Sequence, residues 1–203
     1  MKKIIQLTAI LALVTLVAGL LLAGVNQLTK EPIEKTGKRV RLAAIKKVLP
    51  PCDNDPIQDK VTIKKGGREW TFYVALQEGA YAGAAFQTSS QKGYGGKIDI
   101  MVGVNDDNKV QAIAILTHAE TPGLGAKIEE PAFKKQFAGK NIEKTNWKVR
   151  KDGGDIDQIT AATISSRAVS DAVEKSVNVY LEEKKRILSK LKIDPAQNTE
   201  DQP

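Results

Sequence analysis

Asp157-Gln158-Ile159-Thr160-Ala161-Ala162-Thr163-Ile164-Ser165-Ser166 is the stretch on which the reading of this chain turns. Small hydroxyl and methyl side chains run there straight into a helical pattern, with Val169, Val173, Val177 and Tyr180 recurring at spacings of three and four. A Thr just upstream of a helix start sits where unpaired backbone N–H groups and the positive end of the helix dipole favour an anion, phosphate above all. The alanines keep bulk away, so a large planar ligand has room to approach the backbone. Taken alone, such a stretch is also an ordinary helix start, with Ser165 or Ser166 capping a long helix toward Lys192.

Upstream, the pattern changes from helix to strand. Val61-Thr62-Ile63, Gly66-Gly67 and Trp70 to Val74 read as a hairpin whose two glycines take the positive φ of a tight turn. Ile98, Ile100, Val102 and Val104 alternate with Asp99, Met101 and Gly103 to give one apolar face. Asn105 to Asn108 turns the chain, and Val110 to Leu116 returns it as a more fully buried strand. Pro131 starts a short helix through Phe137 that Gly139 stops, and Trp147-Lys148-Val149 is a further strand candidate. Strands before helices predict an α+β domain with a twisted, mostly antiparallel sheet and flanking helices.

The first residues read as a membrane address. An apolar run from Ile4 to Val25 follows Lys2 and Lys3. About 22 residues at about 1.5 Å each span about 33 Å, enough for a hydrocarbon core of about 30 Å. A secretory signal has a shorter apolar region and a small-x-small cleavage site, which Ala23-Gly24-Val25 fits poorly. The segments expected are therefore an anchor helix at 1–27, a basic juxtamembrane helical segment at 28–52, one domain at 53–192 and a disordered polar tail at 193–203. Lys2 and Lys3 favour a cytoplasmic amino terminus, although Lys30, Lys35, Lys38, Arg39 and Arg41 follow the span. Long domains translocate largely regardless of such charge, so the domain is expected on the outer face.

The formal charge is +7, with much of it between Lys30 and Lys47, beside the lipid bilayer. These basic residues are not interleaved with aromatics, which argues against nucleic acid as a partner. One cysteine, Cys52, excludes an intrachain disulfide. One cysteine and one histidine exclude a Cys/His zinc site or an Fe–S cluster held by this chain alone. Redox chemistry, if present, is organic.

A second constellation follows the strand ending at Leu116: Thr117-His118-Ala119-Glu120-Thr121-Pro122-Gly123-Leu124-Gly125. Pro122 fixes φ, while Gly123 and Gly125 permit an exposed turn whose N–H groups face a ligand. Leu124 is placed to cover one face of a planar ring, and Glu120 and Thr121 offer an acceptor and a hydroxyl. Alone, a Pro-Gly loop is simply a turn. His118 lacks the second histidine and placed acidic partner that a hydrolytic triad needs, and reads as a bystander.

Asp157-x-x-Thr160-Ala161-Ala162-Thr163 resembles the flavinylation motif of FMN-binding domains, roughly Asp-x-x-(Ser/Thr)-Gly-Ala-(Thr/Ser). Glu120-Thr-Pro-Gly-Leu-Gly125 resembles the second signature of that domain, and Gly93-Tyr94-Gly95-Gly96 its aromatic-glycine stretch. The domain occurs in the G subunit of the Rnf ion-translocating electron transport complex and in the C subunit of the Na⁺-translocating NADH:quinone reductase. The anchor-plus-domain layout is similar to the Rnf side. The resemblance implies FMN bound covalently through a phosphoester to Thr163, flanked by motif positions Asp157, Thr160, Ala161 and Ala162. Its ring is then contacted from Tyr94, Glu120, Thr121, Gly123, Leu124 and Gly125. It further implies an electron carrier without substrate turnover of its own. Its partners are a flavin transferase and the other membrane subunits of a complex coupling ferredoxin/NAD⁺ electron flow to Na⁺ or H⁺ translocation. One departure is visible: Ala161 stands where the motif has Gly, adding a methyl and losing ready access to positive φ. Outside this class, the residues are compatible with a membrane-tethered non-redox scaffold or a free-standing flavin reductase.

Overall fold

Gly66 and Gly67 take φ of 58° and 73°, the paired left-handed geometry that lets a two-residue turn follow the right-handed twist of its strands. They join β1 (Lys60–Lys65) to β2 (Arg68–Gln77), with Val61 opposite Phe72. β3 (Ala80–Gly93), β4 (Gly96–Asn105) and β5 (Val110–Thr117) continue as an antiparallel meander, so sheet order equals chain order. The computed structural model describes residues 1–191; Lys192 and the polar tail expected at 193–203 lie outside the described residues.

Two helices use the two faces of this sheet, α1 (Lys2–Val48) and α3 (Thr163–Lys190), with the short α2 (Pro131–Lys135) between them in the chain. α3 covers the inner face, burying Val169, Val173, Val177 and Tyr180 against Phe72, Phe86, Ile100 and Val102. The Phe86 and Tyr180 rings stack at 5.8 Å, and the Tyr180 hydroxyl lies 2.9 Å from that of Tyr81. The outer face is covered by the end of α1, where Ala44, Ile45 and Val48, with Leu49, pack on Ala75, Ala85, Met101 and Ala114. The stretches expected as 1–27 and 28–52 thus run as one helix up to Val48. The chain divides into two compact units, the first ending at Val40 and the second beginning at Arg41. The folded unit accordingly starts earlier than the expected residue 53, because Ile45 and Val48 bury their side chains in it completely. Among the described residues of the first unit, Ile4, Leu11, Leu20 and Leu21 are exposed, and the helix is long and apolar enough to cross a membrane.

β3 is the longest strand, and its composition does not announce it. Ala, Ser and Gly are weak strand formers, and they are here because both faces are tightly covered. A Cβ on Gly83 would meet the Val104 carbonyl and come within 2.9 Å of Pro50. On β4, a Cβ on Gly103 would run into the Val48 carbonyl and lie 2.9 Å from the Val48 Cβ.

The described structure differs from two further expectations. Trp147-Lys148-Val149 is not a strand of the sheet; Val149 makes one isolated bridge to Ile156, while Trp147 is buried against Phe137 and donates its indole N–H to the Ile142 carbonyl at 3.2 Å. Nor does Ser165 or Ser166 cap α3. The cap position is Ala162, and Ser166 donates its hydroxyl back to the Ala162 carbonyl at 3.0 Å, inside the first turn.

Gly103→Ala is expected to destabilise the folded unit by about 1–3 kcal/mol, the usual penalty for overpacking. Denaturant unfolding of the detergent-solubilised chain reads this as a lower midpoint. An unchanged midpoint would show that the end of α1 does not sit tightly on the sheet.

Candidate functional site

The antiparallel meander brings the end of β3, the start of β4 and the end of β5 to one edge of the sheet. The turn Gly93–Gly96 and the loop after Thr117 therefore emerge side by side, and the amino end of α3 meets them there. One cavity of about 530 Å³ lies between them, lined by Tyr94, Thr121, Leu124, Gly125, Ala161, Ala162, Thr163, Ile164 and Ser165. That volume falls within the range of about 300–1,000 Å³ typical of small-molecule sites.

Seven of the residues singled out from sequence thus share one wall system: Tyr94, Thr121, Leu124, Gly125, Ala161, Ala162 and Thr163. Asp157, Thr160, Glu120 and Gly123 lie outside the lining. Ile164 and Ser165 line it and were not anticipated as ligand contacts. Ile164 had a legible signal, since an apolar side chain off the buried stripe of α3 needs another reason to be there. It is 49% exposed, Leu124 45% and Tyr94 73%; within the folded unit these three form an apolar rim. The rim suits a planar apolar ring, and the first turn of α3 suits an anion. The N–H groups of Thr163, Ile164 and Ser165 precede the first helical bond, from Ser166 N–H to the Ala162 carbonyl at 3.1 Å. Residues and cavity together fit a flavin mononucleotide.

Glu120 does something other than offer an acceptor to a ligand. The residue is 5% exposed and both side-chain oxygens are taken. Oε1 accepts the Gly95 N–H at 3.0 Å, and Oε2 accepts the Ser165 hydroxyl at 2.5 Å. Its own N–H is donated to His118 Nδ1 at 3.0 Å, while His118 Nε2 lies 3.1 Å from Glu129 Oε1. His118 therefore steadies the loop. Glycines clear the space: a Cβ on Gly93 would lie 2.5 Å from Glu120 Oε1, and one on Gly125 would press on Oε2 and lie 2.7 Å from Ser165 Oγ. Gly125 is needed for that clearance, whereas Gly123, at φ 76°, supplies the left-handed turn.

Upstream of Thr163 the loop is pinned from outside. The Gln136 side chain accepts the Asp157 N–H at 2.7 Å and donates to the Asp157 carbonyl at 3.0 Å. The Asp157 carboxylate pairs with Arg150 at 2.8 Å in solvent. Ser166 Oγ also accepts the Ile159 N–H at 3.0 Å, and Ala162 N–H reaches the Ile159 carbonyl at 3.0 Å. Between these anchors Ala161 takes φ 62°. The expected loss of positive φ at this position is corrected: the alanine adopts it, at a cost of about 1–2 kcal/mol. Arg167, also in the first turns of α3, donates Nε and Nη2 to the two Asp152 oxygens, each at 2.6 Å. The hydrogen bond from Arg167 holds the exposed Asp152 carboxyl below its ordinary range.

The fold and cavity define a small-molecule-binding α+β domain in a chain that begins with a long apolar helix. Residues 93–178 match the family model described as FMN-binding domain, and residues 1–48 match that described as RnfG N-terminal region. The chain is 35% identical to the G subunit of the ion-translocating oxidoreductase complex of Aliivibrio fischeri, covering 89% of this chain and 91% of that protein. The corresponding G subunit of Cereibacter sphaeroides is 34% identical, covering 90% and 86%. A crystal structure of the C subunit of the Na⁺-translocating NADH-quinone reductase from Parabacteroides distasonis is similar at 25% identity and TM-score 0.47, covering 56% of this chain and 62% of that one. The chain belongs to the family of G subunits of ion-translocating oxidoreductase complexes, and it is a membrane-anchored member.

Two outcomes are expected. Ala161→Gly relieves the left-handed strain, offset in part by the greater freedom of the unfolded chain, and stabilises by up to about 1 kcal/mol; a denaturant midpoint that falls instead contradicts the strain. For Arg167→Gln, the depressed Asp152 pKa fixes the sign. The contribution of the pair is present above the unfolded carboxyl value of about 3.9 and is lost as pH falls through the lower folded value. The stability gap between wild type and variant should be open at neutral pH and close below about pH 4, measured by unfolding at a series of pH values.

Proposed function

We propose that this chain is the electron-carrying subunit of a membrane complex that couples ferredoxin/NAD⁺ redox flow to Na⁺ or H⁺ translocation, with FMN bound covalently to Thr163. The observation that carries this reading is the convergence of three separate sequence signatures on one cavity, with Thr163 in its wall at the first turn of α3. Family membership supports the complex, since the relatives are named as subunits of an ion-translocating oxidoreductase.

In this reading each part of the site has its own task. The Thr163 oxygen carries the phosphate, and the amino end of α3 favours its negative charge by about 0.3–1 kcal/mol. Leu124 and Tyr94 wall the ring, with Ile164 completing the apolar rim. Thr121 and the Gly125 backbone offer polar contacts. Ala161 and Ala162 keep the cavity open; Asp157, Thr160 and Gly123 shape the two loops, and Glu120 holds them together. The bound flavin supplies the electron chemistry; the protein binds, orients and tunes it.

Attachment needs a flavin transferase with FAD as donor. The Thr163 hydroxyl forms a bond to the FMN phosphorus, the pyrophosphate P–O bond breaks, AMP leaves, and the hydroxyl proton passes to a base of the transferase. A carrier held covalently is not lost by dilution on the outer face, where the domain is placed with the amino terminus cytoplasmic. The lipid bilayer and the other membrane subunits are its partners, with no part for nucleic acid.

Intact mass of the chain purified from its native membrane should exceed the encoded polypeptide by one flavinyl phosphate group. Thr163→Ala should abolish both that increment and the fluorescent band surviving denaturing electrophoresis. A band that persists in the variant ends the assignment.

A further inference from the structure

We infer that Glu120 sets the reduction potential of the redox group in the cavity, holding it low by a fixed negative charge directly behind the wall. This rests on the proposed flavin at Thr163 and goes beyond it, because Glu120 does not line the cavity and touches it only through its partners. Among the described lining residues none carries a charged side chain. Behind them, Glu120 is hydrogen-bonded to one lining residue, Ser165, and packed against another, Gly125.

Three features make this charge effective. Both carboxylate oxygens accept hydrogen bonds, from Gly95 N–H and Ser165 O–H, as an ionised carboxyl does. The group is 5% exposed, so water screens it weakly. It is held in place from two sides by the Gly95 and Ser165 donors, in room that a Cβ on Gly93 or Gly125 would take. Reduction whose electrons outnumber the protons taken up with them adds net negative charge to a group in the cavity, against that field. The reduced form is therefore disfavoured relative to the oxidised one.

The test is a spectroelectrochemical titration of the full-length, flavin-loaded chain. Intact mass first establishes that wild type carries the flavin; a wild type without it defeats the functional reading and leaves this inference with no redox group to act on. Given the flavin, Glu120→Gln, nearly isosteric and uncharged, should shift the midpoint potential positive while the mass increment is retained. A midpoint unchanged from wild type, or shifted negative, overturns the inference. Glu120→Asp keeps the charge but shortens the side chain, and it separates charge from packing even where the Gln variant fails to fold. A lower melting temperature with the wild-type potential supports the electrostatic role. A potential that moves with the lost stability assigns the effect to loosened packing and overturns it.

Discussion

A buried carboxylate receiving one hydrogen bond from a strand turn and another from a helix holds this site together. Glu120 joins Gly95, 25 residues before it, and Ser165, 45 residues after it. Burying a charge is costly unless it is fully hydrogen-bonded. A hydrogen bond to a charged group contributes about 1.5–3 kcal/mol, and losing one partner leaves buried groups unsatisfied. The arrangement therefore tolerates little partial formation. When Glu120 is seated, three segments distant in sequence are in register; when it is not, each loop loses the neighbour that defines it.

That interaction needs a rigid floor, and the sheet supplies it in an unusual way. A strand of Ala, Gly and Ser at its centre would normally be weak. Here the small side chains of β3 and the bare Gly103 of β4 let α3 and the end of α1 settle closely on opposite faces. Packing on both faces replaces intrinsic preference as the source of order. The loops at the sheet edge then inherit positions fixed by backbone pairing, which is how a binding loop becomes precise without being rigid itself.

The same physics explains what could be read in advance. Alternation made β4 legible, and Gly66-Gly67 made the first hairpin legible. The apolar run after the Asn105 to Asn108 turn made β5 legible, although as an edge strand it is half-buried rather than fully buried. The three signatures named the cavity's main walls. β3 was invisible because its order comes from neighbours distant in sequence. The Glu120 pairing was invisible for the same reason: one residue type in a turn does not reveal which hydroxyl, 45 positions later, it will meet. The Ser165/Ser166 cap was misread because a serine can donate within the first helical turn as well as accept at its end. Both serines donate instead, Ser166 to the Ala162 carbonyl and Ser165 to Glu120.

Ala161 shows how the local and the global meet. An L-residue at positive φ persists where its surroundings over-determine it. Gln136 clamps Asp157 on one side, and Ser166 and Ala162 bind Ile159 on the other, so the chain has one short path into α3. That path needs a left-handed residue immediately before the cap residue Ala162, and it needs a small one because Ala161 itself lines the cavity. Glycine meets both conditions without strain; alanine meets the second and endures the first. A larger side chain would fail the second, since it would project into the cavity that Ala161 lines. The reversal at Ala161 brings Thr163 into the cavity wall on the first turn of α3, so the strain lies two residues from the hydroxyl it helps to aim.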